Sequence, residues 1–298
     1  MYFFISRYYC SESTINCYSF NFPMKNQTYP LPQLLHQSEL VDTHCHLDMD
    51  AYRSDLDTVI QSAAQFGIKR IISIGIDYTS SLKTVNIAEQ YTNIFATIGF
   101  HPHEALNATV GALKDLSELT QYKSVVGYGE IGLDYVKKYA PRDVQIKTFS
   151  EQLHLAKELD LPVVIHDREA HEDTLNLIRS AGHLPRGGVL HCFSGDSRLA
   201  HEMIDLGFYI SIPGVATFTN AHLLHEIIRV VDLRHLLLET DGPFLAPVPF
   251  RGKRNEPKLL LYTAQRVAEL KQITIDEVAR ATTANTVRLF RLPEDTES

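Results

Sequence analysis

The sequence predicts an α/β protein whose main body is a (β/α)8 barrel, the TIM architecture. Three observations carry that expectation. From residue 40 onward, short runs rich in Val and Ile alternate with longer amphipathic stretches, the pattern of repeated βα units around a parallel sheet. Eight such runs can be counted along the sequence, spread over about 250 residues, the size usual for this barrel. With 298 residues, 44% of them hydrophobic and 21% charged, the chain is also long enough to bury the core such a barrel needs.

The expected strands cover residues 40–42, 70–75, 94–98, 124–128, 162–165, 187–190, 208–210 and 236–238. Between them, segments such as 55–66, 143–159, 171–180 and 197–206 carry apolar residues at intervals of three and four, one face of a helix. Gly67, Gly182 and Gly207 follow three of these segments as natural helix stops. The tail 257–292 supplies the last helices, so residues 40–298 form the barrel domain. Residues 1–39 differ: they are crowded with Tyr and Phe and lack any helical or alternating period. They are expected to be a poorly ordered extension, within which Met24 is an alternative start of translation. The opening apolar run is broken at Ser6 and Arg7, which argues against a secretory signal.

Charge and cysteine content narrow the setting. A formal net charge of -8 argues against coating nucleic acid by broad electrostatic attraction, which requires Lys and Arg to displace counterions. It leaves room for an enzyme that grips a strand locally through divalent cations, which cancel phosphate charge where the chemistry occurs. Cys10, Cys17, Cys45 and Cys192 are too scattered for a disulfide framework or a zinc finger, so a reducing, cytoplasmic setting is expected. Every apolar run is interrupted by polar residues well short of the roughly 20 residues a membrane helix needs. No membrane association and no obligate protein partner are expected.

The strongest local signal is LVDTHCHLD, where His44 and His46 stand two apart as an apolar strand ends, so both imidazoles point the same way. Other candidate ligands fall at later strand ends: Glu130 in VVGYGEIGLD, His166 in PVVIHDR, His191 in VLHCFSG and Asp241 in LLLETDGP. Taken singly, Glu130 also fits a helix cap or a lysine partner, His166 and His191 fit hydrogen-bonded core histidines, and Asp241 fits a turn before Gly242 and Pro243. A barrel gathers its strand ends around one mouth, and their coincidence there points to metal. Imidazole and carboxylate donors without thiolate suit zinc, manganese, iron or magnesium. Cys45 and Cys192 adjoin ligand histidines but are expected to be small buried apolar groups.

These motifs resemble those of the TatD family of metal-dependent deoxyribonucleases, within the amidohydrolase-like barrels. LVDTHCHLD, GFHPH, GEIGLDY, PVVIHDREAHED, HCFSG and LLLETDGPFLAP occur in the family's order across residues 40–292. Gly242 departs from the Ser that members often carry before the proline, at a position that is not a presumed ligand. The resemblance implies two divalent ions (Mg, Mn or Zn), one held by His44, His46 and Asp241, the second by His166 and His191, with Glu130 bridging both. It also implies a phosphodiesterase acting on DNA, with RNA a further candidate substrate, in the 3′ to 5′ exonuclease direction.

Within that frame Glu130 and Asp241 are the expected catalytic carboxylates, Asp241 orienting the attacking water and passing its proton to the leaving oxygen. His101, His103 and Arg168 lie in loops after strands and are expected to bind the scissile phosphate, Arg168 with the alternative of bracing Glu130 or Asp167. The basic stretch RGKRNEP, with Arg251, Lys253 and Arg254, is either a backbone-tracking rim or a solvated loop. Tyr135, Tyr139, Phe193, Phe244 and Phe250 are the aromatic residues available for stacking in a chain without Trp. The alternative function is a barrel hydrolase acting on a small phosphoester, amide or lactone, since a fold does not set its substrate.

Overall fold

Val and Ile favour the pleated, half-buried environment of a strand, and the structure places each apolar run in one parallel sheet. In this computed structural model, which describes residues 29–35 and 38–293, the order is β1 (Leu40–Cys45), α1 (Leu56–Gln65), β2 (Ile68–Ile74), α2 (Tyr78–Gln90), β3 (Ile94–Ile98), α3 (Val110–Glu118), β4 (Val125–Asp134), α4 (Arg142–Glu158), β5 (Val163–Arg168), α5 (His171–Ala181), β6 (Gly188–Leu190), α6 (Ser197–Asp205), β7 (Phe208–Ile212), α7 (His222–Val230), β8 (Leu236–Leu238), α8 (Leu260–Lys271) and α9 (Ile275–Phe290). The strands pair in sequence order from β1 to β8. A parallel bridge between Cys45 and Gly242 joins the two ends. It is reinforced by His46 N–H to Gly242 O at 2.7 Å and Asp241 N–H to His44 O at 2.8 Å. The fold is the (β/α)8 barrel expected.

Alternation along the strands divides the core into two layers. Leu40, Ile71, Ile94, Val125, Val163, Leu190 and Leu236 belong to the layer between sheet and helices. Val41, Ile72, Phe95, Val126, Val164, Val189 and Leu237 form a second cluster with Leu289, Phe290 and Leu292. The end of α9 thus supplies apolar side chains to the barrel's interior. A Cβ on Gly127 would lie 3.1 Å from the Phe290 ring, so the glycine leaves room for that ring. Thr274 and Glu277 form a capping box that starts α9, satisfying backbone donors its first turn cannot pair internally.

Three strands run further than their apolar content suggests. β1, β4 and β5 continue through Cys45, Asp134 and Arg168, so His44, Glu130 and His166 lie within strands rather than beyond them. Polar side chains facing the mouth end the hydrophobic pattern before they end the hydrogen-bonded ladder. Pairing shifts register between Asp42 and Cys45 and between Tyr128 and Ile131, and such irregularities re-aim side chains beside active sites. The expectations for residues 1–39 and for Met24 fall for the most part outside the described residues. Of those described, Leu31 and Leu34 pack against the core and Glu39 pairs with Arg70.

Candidate metal centre

Glu130 stands at the C-terminal mouth of the barrel, 2% exposed, and its two oxygens face different partners. Oε2 lies 3.3 Å from His44 Nε2 and 3.9 Å from His46 Nε2. Both imidazoles also approach Asp241 Oδ1, at 3.7 and 3.4 Å. Oε1 lies 2.7 Å from His166 Nδ1, 2.8 Å from His191 Nε2 and 3.4 Å from His101 Nε2. One carboxylate therefore joins two donor groups, His44, His46 and Asp241 on one side and His166 and His191 with His101 on the other. The backbone makes this approach possible at Gly132, where φ is +144° and a Cβ would fall 1.9 Å from His166 O. Asp241 has φ +55°, a left-handed conformation that Asp tolerates better than most residues.

The donor geometry fits divalent cations. Two donors each about 2.1 Å from a tetrahedral ion lie about 3.4 Å from one another, close to the spacings among His44, His46, Glu130 and Asp241. His44 makes no hydrogen bond through either ring nitrogen among the described residues, although the ring is fully buried. A buried imidazole without a hydrogen bond is costly, and a cation between its Nε2 and the two carboxylates would satisfy that nitrogen. Among the described residues, His44, His46 and Glu130, His44, His191 and Asp241, and His101, Glu130 and His166 each bring donor atoms within 4.8 Å of one another.

Electrostatics favour the same use. Burial opposes a charge on Glu130, but His191, His101 and His44 outweigh it and hold the carboxyl well below its usual range. Asp241 is depressed in the same way, burial being overcome by His46 and His44. Burial lowers His44, with His191 adding to the effect, and pushes His101 down to about 4 against the pull of Glu130. Burial would also lower His166 and His191, but Asp134 and Glu130 raise the first and Glu130 and Glu239 raise the second. Cation binding at such a site displaces protons from its imidazoles.

Three buried carboxylates outside the expected site residues support the centre. Asp134 Oδ2 lies 2.8 Å from His103 Nε2 and 3.5 Å from His166 Nε2, while its Oδ1 accepts the N–H groups of Val136 and Lys137, both at 2.8 Å. Glu239 accepts the Cys192 N–H at 2.7 Å and lies 3.6 Å from His191 Nδ1. Asp42 accepts the Thr240 N–H at 2.9 Å and the His44 N–H at 3.3 Å, tying β1 to the segment that carries Asp241. Burial pushes the Asp42 carboxyl up to about 7 against these hydrogen bonds. Their sequence signal was spacing: Asp42 and Asp134 stand two and four residues from His44 and Glu130 within β1 and β4, and Glu239 stands two residues from Asp241 just beyond β8.

Of the residues expected to hold substrate, His101 is drawn to Glu130, and His103 pairs with Asp134. Arg168 is half exposed, with NH1 4.0 Å from Asp134 Oδ2, a different carboxylate from the Glu130 or Asp167 of the bracing alternative. Cys45 faces away from the cluster, its Sγ 3.8 Å from Tyr52 Oη. In the basic stretch, Arg254 is engaged by Asp55 at 2.7 Å and by Glu256 at 2.8 Å, and Arg251 lies over the Phe218 ring at 4.5 Å. Phe193 is buried, whereas Phe244 is 49% exposed with its ring centroid 6.1 Å from that of His46.

The chain is similar to several known proteins over most of its length. The family described as TatD related DNase matches residues 41–291. YabD of Bacillus subtilis, named as an uncharacterized metal-dependent hydrolase, is 42% identical over 253 residues, covering 85% of this chain and 99% of YabD. YcfH of Escherichia coli K12, named likewise, is 39% identical over 257 residues, covering 85% of this chain and 96% of YcfH. The crystal structure of YjjV, a TatD homologue from Escherichia coli K12, superposes with a TM-score of 0.82 at 33% identity, covering 87% of this chain and all of that one. From the ordered motifs, the barrel and these likenesses together, the chain belongs to the TatD family of metal-dependent hydrolases.

Proposed function

We propose that this protein is a deoxyribonuclease that cleaves phosphodiester bonds with two divalent ions, removing nucleotides in the 3′ to 5′ direction. The observation that carries the reading is the division of Glu130 between two donor groups, since a carboxylate serving both sides of a cluster suits a pair of cations rather than one. In this reading His44, His46, Asp241 and Glu130 would hold one ion, and Glu130, His166 and His191 the other. When bound, such a pair supplies Lewis acidity to the phosphoryl group and makes a water nucleophilic near neutral pH. The family's description as a DNase favours a DNA substrate, and the direction follows the resemblance of the motifs.

The chain's own residues then have distinct tasks. Asp241, ionised and 15% exposed at its side chain, is placed to accept a proton from the attacking water and to hand it to the leaving oxygen. His103, fixed by Asp134 and partly open to the mouth, and Arg168 beside it offer donors to the phosphate. His101 lies close enough to Glu130 to steady its orientation.

End-labelled single- and double-stranded DNA and RNA, incubated with Mg, Mn or Zn, test this reading. Stepwise release from the 3′ end of DNA, abolished in Glu130→Ala, is expected. Turnover of small esters or amides with all oligonucleotides left intact would transfer the protein to the other hydrolytic class.

A further inference from the structure

The catalytic face carries two further clefts, one beside the segment leaving β4 and one beside the segments leaving β6 and β7. A cleft of about 430 Å³ begins at Asp134 and is lined by Lys137, Lys138 and Arg142 on the segment leaving β4. Another, of about 440 Å³, lies between the segments leaving β6 and β7. Its apolar wall comes from Phe193, Pro213, Val215, Leu223 and Leu224, and Cys192, the residue after His191, also borders it. Ser194, Asn220 and His222 add polar groups to its lining.

The second cleft is unusual for a wet surface. A surface helix normally turns its apolar stripe inward, and Leu224 obeys, at 8% exposed, while the adjacent Leu223 is 63% exposed. Apolar side chains gathered into a concave site with a few polar groups are the usual signature of a ligand pocket. The cluster next to it presents imidazoles and carboxylates, which suit a phosphate and its cations but offer little to a heterocycle. The lysines at the β4 cleft suit the anionic chain instead. In the nucleic-acid reading above the phosphate and its cations take the cluster, which leaves the base to the apolar surfaces around it, among them Phe244 and this cleft.

We propose that the β6–β7 cleft seats the base of the terminal nucleotide whose phosphodiester is cleaved, so that it determines which ends are substrates. This rests on the deoxyribonuclease reading and adds a subsite to it. The base lies against Val215 and Leu223, with Ser194 and Asn220 available to its polar edge.

The test compares two end-labelled oligodeoxynucleotides that differ at the terminal nucleotide of the cleaved end, one carrying its base and the other a tetrahydrofuran abasic analogue. The parent protein is expected to prefer the base-bearing end by at least about tenfold in kcat/KM, mainly through KM. Val215→Trp, which fills the cleft, and Leu223→Ala, at an exposed position that folding tolerates, are expected to bring that preference towards parity. Val230→Trp, at the far end of α7, should keep it, and thermal melting confirms that each variant is folded. Equal handling of the two ends by the parent, or an undiminished preference in both cleft variants, overturns the subsite while leaving the nuclease reading intact. Failure to cleave either oligonucleotide with any of the three metals overturns both.

Discussion

Glu130 is buried yet held ionised by imidazoles, and Asp241 shares that condition at the open edge of the cluster. The two carboxylates differ in what replacement should do. Asp241→Asn keeps the side chain's size but removes its capacity to accept a proton, so kcat is expected to fall by about 10² or more while KM stays within about threefold. Steady-state kinetics on a labelled oligonucleotide reads both, and near-parental kcat would remove Asp241 from proton transfer. Asp134→Asn probes support rather than chemistry. Asn can still accept the Val136 and Lys137 N–H groups, but it lacks the charge facing His166 and His103. Metal affinity is expected to drop by about 10- to 100-fold, as when other partners of ligand histidines are lost. An unchanged dissociation constant in a manganese titration would restrict Asp134 to holding its turn.

Elements transmit such side chains to the mouth, and two of them can be tested apart from activity. The end of α9 enters the barrel's interior with Phe290, which is 2% exposed. Phe290→Ala leaves a cavity the surrounding β strands cannot close, a change expected to cost about 3–5 kcal/mol in denaturant unfolding. At the other end, Arg254 fastens the segment after β8 to Asp55 at the start of α1 and to Glu256, and Lys258 pairs with Glu256 at 2.8 Å. Burial opposes ionisation of Glu256, but Lys258 and Arg254 outweigh it and depress its carboxyl below 4.5. A depressed acid stabilises the fold fully above its unfolded value and loses that contribution as pH falls through the folded one. Glu256→Gln should therefore destabilise the protein at pH 7 by about 0.5–1 kcal/mol, a modest figure because the pair is partly solvated. Urea titrations should find the gap closing below about pH 4; a gap that persists there would assign Glu256 a role other than charge.

For the whole molecule, cations are expected to link the catalytic centre to global stability. His44, His46, Glu130, His166, His191 and Asp241 come from β1 and the residue following it, β4, β5, the residue following β6 and the segment after β8, so occupancy ties together strands on both sides of the barrel's closure. A ligand that binds only the folded state stabilises it by about 2.7 kcal/mol at a hundredfold excess over its dissociation constant. Chelation is expected to lower the melting temperature, and added Mn or Zn to restore it in proportion to the logarithm of concentration. Equal melting temperatures with and without chelator would indicate that the donors do not hold a cation tightly.

Much of this was legible before any coordinates, for a physical reason. The barrel is an arrangement of local units, so the alternation of Val- and Ile-rich runs with helical stretches foretold its eight strands, and candidate donors near the ends of successive strands had to meet at its mouth. Distances were another matter. That Glu130 divides its oxygens between two donor groups depends on register shifts in β1 and β4 and on the close passage of Gly132 past His166, which no local pattern encodes. The pairing of His103 with Asp134, the engagement of Arg254, and the apolar cleft beside His191 arise from residues far apart in the chain or on separate loops. Composition and period determined which elements exist and which chemistry they carry. Packing alone decided which side chains touch, because contact is set by the three-dimensional closure of the sheet and not by order along the polymer.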